Sequence, residues 1–216
     1  MPEAGATSSR NRGTRGTVVA AAMDLFGRQG YRATTIAQIE ASAGLSPGAG
    51  GLYRHFPSKR ALLEEGLRRQ AEQGRGLAAF LEDPLALAAL PLRDRLVAVA
   101  RAGLRRLEEE RDVNRLVVRD LVAFPDLLDR VREQELAAVV QTLAGWLRAQ
   151  PEEPVGTPDW DALASVVASA VSHYWVLRDV YDGEHPHAID AERFLGTLAD
   201  LVARTWVPSA AGPRAD

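Results

Sequence analysis

Residues 25–63 read LFGRQGYRATTIAQIEASAGLSPGAGGLYRHFPSKRALL. Gly30 stops a helix that carries Leu25 and Phe26. Thr34 then stands as an N-cap before TIAQIEASA, a short helix whose Ile36 and Ile39 face inward and which ends at Gly44. After the glycine-rich stretch, LYRHF forms a helical turn, and Ser58 caps a long helix that starts with Lys59 and buries Leu62, Leu63 and Leu67. This order of helix, glycine turn, short helix and capped long helix is a helix-turn-helix. Two helices so short cannot bury both apolar faces alone, so the preceding helix, expected over Arg15–Gln29, supplies a third wall.

The same three- and four-residue apolar spacing continues along the chain, and sustained two-residue alternation is absent, so the fold class is all-α with about nine helices. Further helices are expected at Leu92–Glu110, Val113–Ala123, Pro125–Ala149, Trp160–Tyr181 and Asp190–Trp206. The expected division is a flexible arm over 1–14, a three-helix head over 15–60, a helical ligand-binding and dimerisation domain over 61–207, and a disordered tail over 208–216.

The 216 residues carry a net charge of -3, which conceals a basic head. Residues 1–60 hold eight Lys or Arg against three acids, and the remainder holds eighteen against twenty-six. With no cysteine, disulfides, thiolate metal sites and cysteine nucleophiles are excluded, and a cytoplasmic protein is expected. The longest uncharged run near the C-terminus, Ala162–Leu177, is shorter than the roughly 18 to 20 residues of a membrane span, so no membrane partner is expected.

Hydrogen-bonding side chains gather around the motif. The hydroxyls of Thr34 and Thr35 sit at one helix start and Lys59 at another, with Tyr53, Arg54 and His55 between them. A cation at a helix N-terminus opposes the helix dipole, and a bound phosphate would relieve that conflict. The arrangement suits phosphates flanking a DNA major groove, with Ser46, Pro47, Gly48, Ala49 and Gly50 nearest the base edges. Arg10, Arg12 and Arg15 are either an arm along the DNA backbone or a solvated tail.

The succession LF, GY, TT, AGLS, LYRHF and SK resembles the DNA-binding domain of the TetR family of bacterial transcriptional regulators, over about 49 residues. The resemblance implies an all-α homodimer that binds an operator in double-stranded DNA and whose C-terminal domain takes a small-molecule effector that releases the DNA. It places phosphate contacts at Thr35, Tyr53, His55 and Lys59. One departure falls where sequence would be read. Family members commonly have four residues between the serine of the turn and the tyrosine, whereas here PGAGGL, six residues, separates Ser46 from Tyr53. The second helix then starts late or irregularly, and DNA shape contributes more to recognition.

The remaining expectations concern the C-terminal half. Trp160, Leu163, Val167, Ala170, Tyr174 and Leu177, with Phe194, Leu198 and Leu201, form stripes assigned to a dimer interface built as a four-helix bundle. Val166, His173, Val176 and Val180 make a second apolar face on the first of these helices. Asn114, Arg119, Gln141, Trp146, His173 and Trp175 are candidate effector contacts, each with a packing alternative. GLSPG around Ser46 matches a hydrolase nucleophile elbow without the strand that chemistry needs, so no enzyme is expected. Asp182, Glu184, His185 and His187 lack metal-ligand spacing, and neither metal nor cofactor is expected. An effector-independent regulator, an activator, or an enzyme built on the C-terminal bundle remain the alternatives.

Overall fold

The computed structural model describes residues 4–73, 81, 87 and 89–206, with backbone alone for 4–13 and Glu135. Its helices are α1 (Ala4–Gln29), α2 (Ile36–Ser42), α3 (Lys59–Gln73), α4 (Leu92–Glu109), α5 (Arg111–Asp120), α6 (Pro125–Val131), α7 (Ala137–Arg148), α8 (Trp160–Val180) and α9 (Ala191–Ala203). A π turn, Arg132–Leu136, joins α6 to α7 in one run, and 3₁₀ turns cover Leu52–Arg54 and Leu121–Ala123. There is no strand among the described residues, and the fold is all-α as its spacing predicts.

The chain forms two compact units that alternate along the sequence. The first holds Met1–Gln73 and Glu110–Glu135, the second Gly74–Glu109 and Leu136–Asp216. The boundary expected at residue 60 is therefore displaced: α3, α5 and α6 belong with the head. Their apolar faces explain why. Val18, Ala22 and Phe26 recur at four-residue spacing on α1 and are buried with Ile39, Leu52, Phe56, Leu62 and Leu63, and Leu116, Leu121, Leu127 and Val131 complete the same core. Each such side chain removed from water contributes on the order of 1.5–3 kcal/mol. Two short helices could not have supplied that area.

Polar contacts fasten the first unit. The Arg119 guanidinium donates to the carbonyls of Phe26 and Gly27 at 2.6 and 3.1 Å, a cation at the C-terminal end of α1 where the helix dipole favours one; the Phe26 carbonyl also accepts from the Gly30 N–H at 3.0 Å. Arg60 pairs with Glu64 at 2.9 Å and with Asp126. Tyr31 packs on Phe26 and edge-on against Phe124, with ring centres 5.1 and 4.9 Å apart.

In the second unit α4 packs against α8 and α9, and α7 packs against α8. The core comprises Leu96, Val99, Leu143, Leu147, Val171, Trp175, Leu195 and Trp206 among others. Val167, Tyr174 and Leu198, expected at a dimer interface, lie in this core, and Trp160, Leu163, Ala170 and Phe194 pack against it. Leu177 is half-buried, and Leu201 alone of that set is an exposed large apolar residue. The stripe is thus mostly the inward face of its own unit. The outward face of α8 carries Ala162, Ser165, Val166, Ser169, Ser172, His173 and Val180.

One further boundary moves. Residues 4–14, expected as a flexible arm, are helical backbone at the start of α1. The expected tail at 208–216 lies outside the described residues, as does the stretch between Gln73 and Leu81 that follows α3.

Candidate nucleic-acid interface

The interface residues belong to the first unit and are built around α2. Its cap is Thr35, one residue later than Thr34. Thr35 has extended backbone, its hydroxyl accepts from the Gln38 N–H at 3.3 Å, and Gln38 Oε1 accepts from the Thr35 N–H at 2.8 Å. This is a reciprocal capping box. Thr34 is 1% exposed, and its hydroxyl donates to the Gly30 carbonyl at 2.7 Å. The buried Thr34 hydroxyl is committed inside the fold, which corrects its placement among phosphate ligands; the Thr35 side chain is exposed.

Gly44 ends α2 with a φ of 72°, its N–H donating to the Ala41 carbonyl at 3.1 Å while Leu45 N–H donates to that of Glu40 at 2.8 Å. These paired bonds form a Schellman motif. Beyond it, Ser46–Gly51 is a turn rather than a helix, with Gly48 at φ 78°, a conformation glycine adopts at little steric cost. Ser46, Pro47, Gly48 and Ala49 are exposed and Gly50 is half-buried. The second helix of the motif is reduced to the 3₁₀ turn Leu52–Arg54, in which Leu52 is buried while Tyr53 is 56% exposed and Arg54 is exposed. His55 is half-buried.

Glu40 organises this turn and is the residue that sequence reading passed over. It is 0% exposed, and its two carboxylate oxygens accept from the N–H groups of Gly48 at 2.7 Å and Leu52 at 3.0 Å. The signal was present: four residues after Ile36 and adjacent to Ile39, Glu40 falls on the inward face of α2.

Lys59 also differs from expectation. Its ammonium donates to the carbonyls of Tyr31 and Thr34 and lies over the Tyr31 ring, so chain carbonyls offset the unfavourable dipole at the start of α3. Burial lowers its pKa from the ordinary 10.5.

The candidate effector residues do not converge in one unit. Asn114 and Arg119 belong to the first unit, where Arg119 ties down the end of α1 and pairs with Asp120 at 2.9 Å. In the second, Gln141 and His173 are exposed, and Trp175 is buried in the core. Trp146 lines an apolar cavity of about 10 Å³ with Leu96, Val99, Leu143, Val167 and Leu198. Such a space holds about one water-sized sphere. In the loop before α9, the His185 ring stacks on Tyr174, and its Nδ1 accepts from the His187 N–H at 3.2 Å. No group of three or more potential metal ligands occurs among the described residues. None of their helices is long and apolar enough to cross a membrane.

Comparison with known proteins agrees with this geometry. Residues 18–65 match the sequence profile of bacterial regulatory proteins of the tetR family. The helix-turn-helix transcriptional regulator RutR of Escherichia coli K12 is 30% identical over 165 residues, 73% of this chain and 71% of RutR. The Bacillus subtilis regulator YvkB, of the same type, is 28% identical over 185 residues, 85% of this chain and 92% of YvkB. Among solved structures, a TetR transcriptional regulator from Chloroflexus aurantiacus superposes with a TM-score of 0.72 at 24% identity, covering 91% of this chain and 98% of that one. A TetR-family regulator from Agrobacterium tumefaciens gives a TM-score of 0.67 at 17% identity, covering 91% and 99%. These relatives are transcriptional regulators rather than enzymes, and the serine of GLSPG lies in a turn after a helix, without the strand a nucleophile elbow needs. The capped α2, the glycine turn and the apolar core beneath them are those of a regulator's head, and the chain belongs to the tetR family of helix-turn-helix transcriptional regulators.

Proposed function

We propose that this regulator is a dimeric, ligand-responsive repressor acting in the cytoplasm on a short palindromic operator. The observation that carries the reading is what the first unit exposes along the motif: Thr35 at the cap of α2, the Ser46–Ala49 turn that follows α2, and Tyr53 and Arg54 in the 3₁₀ turn after it. Thr35, Tyr53, Arg54 and the half-buried His55 take the backbone phosphates, and the turn faces the base edges. Thr34 has no part in this, and Lys59 acts as a strut. Two such heads on one dimer engage successive major grooves about 34–36 Å apart or a multiple of it.

The dimer forms through the outward face of α8, where Val166 is 61% exposed among small uncharged residues. The effector is a small hydrophobic molecule lodged in the second unit, whose cavity beside Trp146 is apolar on all its named walls. Ligand pockets run to about 300 Å³ or more, so binding there requires the cavity to expand. A coupling of about 1–3 kcal/mol between effector and operator suffices for release.

The small cavity also favours a second reading, a regulator that works without an effector. The test is retention of genomic fragments by the purified protein, sequenced near physiological salt, followed by a panel of apolar compounds. Enrichment of a palindrome and its release by a compound support the repressor; enrichment with no release supports the second reading. Absence of enrichment defeats both.

A further inference from the structure

The turn that faces the bases in this reading lacks the internal support a helix gives itself. Ser46–Gly51 contains three glycines, two of them at positive φ, and Ala49 N–H to Ser46 carbonyl, at 3.3 Å, is a marginal bond. Glycine loses more conformational freedom on ordering than any other residue, so a turn of this composition holds one shape only if something outside it imposes that shape. Glu40 does so. One oxygen takes the Gly48 N–H in the middle of the turn and the other takes the Leu52 N–H where the 3₁₀ turn begins. Both bonds are to an anion at a residue with no exposed surface, and charge-assisted bonds are about twice as strong as neutral ones. Glu40 also sits on α2, the helix whose cap is Thr35, so the carboxylate connects the phosphate-facing end of the head to its base-facing turn.

We propose that Glu40 is the positioning residue for DNA sequence selectivity: its carboxylate fixes the Ser46–Gly51 turn in register with α2 without itself touching DNA. The inference rests on the DNA-reading role given to that turn above. An exposed acid here would repel phosphate, whereas a buried one enclosed by two N–H donors shapes the reading surface and presents little charge to it. The six-residue spacing between Ser46 and Tyr53 and the buried acid at Glu40 are then two parts of one device.

The variant that separates shape from charge repulsion is Glu40→Gln, which retains one acceptor oxygen but sets an amide NH₂ against a backbone N–H. With the motif retained by the wild-type chain as probe, the ratio of motif to random-DNA affinity is expected to fall about tenfold or more, the scale of a mismatched base pair. Affinity for random DNA, and its dependence on salt, should stay as in the wild type, an outcome that general loss of structure does not produce. A Gln variant that binds the same motif with the same ratio overturns the proposal. Amide hydrogen exchange of the wild-type chain provides a measurement independent of whether the variant folds. The Gly48 and Leu52 amides should exchange far more slowly than in an unstructured peptide, and free exchange at both overturns the tether. If the wild-type chain retains no motif while those amides stay protected, the operator reading is what has failed, and the selectivity role falls with it.

Discussion

The Lys59 ammonium donates at once to the Tyr31 carbonyl at 2.7 Å and to the Thr34 carbonyl at 2.8 Å, and lies 4.3 Å from the centre of the Tyr31 ring. One side chain at the start of α3 thereby holds the loop that leads into α2. Lys59→Met should destabilise the protein by about 2 kcal/mol or more, since hydrogen bonds to charged groups contribute about 1.5–3 kcal/mol each. The folded variant should change the salt slope of random-DNA binding by less than one. Unchanged melting with a slope lowered by a full unit would make Lys59 a phosphate contact instead.

Gly27 and Gly66 lie inside helices, where alanine is normally preferred by about 1 kcal/mol. A β carbon at Gly27 would collide with Cβ of Asp112 and stand 2.5 Å from its Cα, so backbone would have to move. At Gly66 the obstruction is the flexible Met23 side chain, nearest at its sulfur. Gly27→Ala is expected to lower stability by about 1–3 kcal/mol, with Gly66→Ala costing distinctly less. Denaturant melts that reverse the order contradict the close approach of α1 and α5.

Adjacent valines on α8 test the proposed dimer face. Val166→Glu should give folded monomers by analytical ultracentrifugation. Val167→Glu, 8% exposed and within the core, should lose cooperative melting, because an unpaired buried charge is among the most destabilising changes. A folded Val166→Glu dimer would move the interface off this face.

Glu65 supplies a pH test. Hydrogen bonds from Arg68 and then Arg69, outweighing the opposing effect of burial, hold its pKa below the ordinary 4.5. The folded chain therefore binds this proton less readily than the unfolded chain, so the contribution to stability is complete above about 4.5 and is lost as pH falls through the folded value. Glu65→Gln should be less stable than wild type at pH 7, with the gap shrinking in urea melts below pH 4.5. A gap independent of pH would remove the ion pairing from the account.

Tyr53 offers the plainest check of the DNA-facing rim, being exposed and outside the core. Tyr53→Ala should leave melting within about 0.5 kcal/mol of wild type. It should weaken binding to motif and random DNA alike, measured by fluorescence anisotropy; full retention of both affinities would take Tyr53 out of the interface.

Helix types and most boundaries were legible because they rest on local signals: Gly30 and Gly44 as stops, Ser58 as a cap whose hydroxyl accepts from the Ala61 N–H at 3.0 Å, and Pro125 opening α6. Choosing between adjacent threonines was not. Thr34 and Thr35 have equal capping ability, and the choice depends on which hydroxyl the Gly30 carbonyl can take into the interior. The inward face of α8 was ambiguous for a related reason. With apolar residues on two sides, periodicity marks both Val166 and Val167, and only packing against α4, α7 and α9 buries the second. Arg119 and Lys59 bond to carbonyls 92 and 28 residues away in the chain, beyond the reach of spacing arguments.

The alternation of the chain between its units limits how the head can be moved about. A contiguous piece ending at Gln73 would leave behind Leu116, Leu121, Leu127 and Val131, and Phe26 and Leu63 would meet water where those side chains now lie. A chimaera that borrows this head must therefore carry the residue 110–135 segment as well, although thirty-six residues of the other unit intervene between the two pieces. Exchange of a single contiguous cassette is therefore closed to such a fold: both pieces of the head travel together or its core is rebuilt.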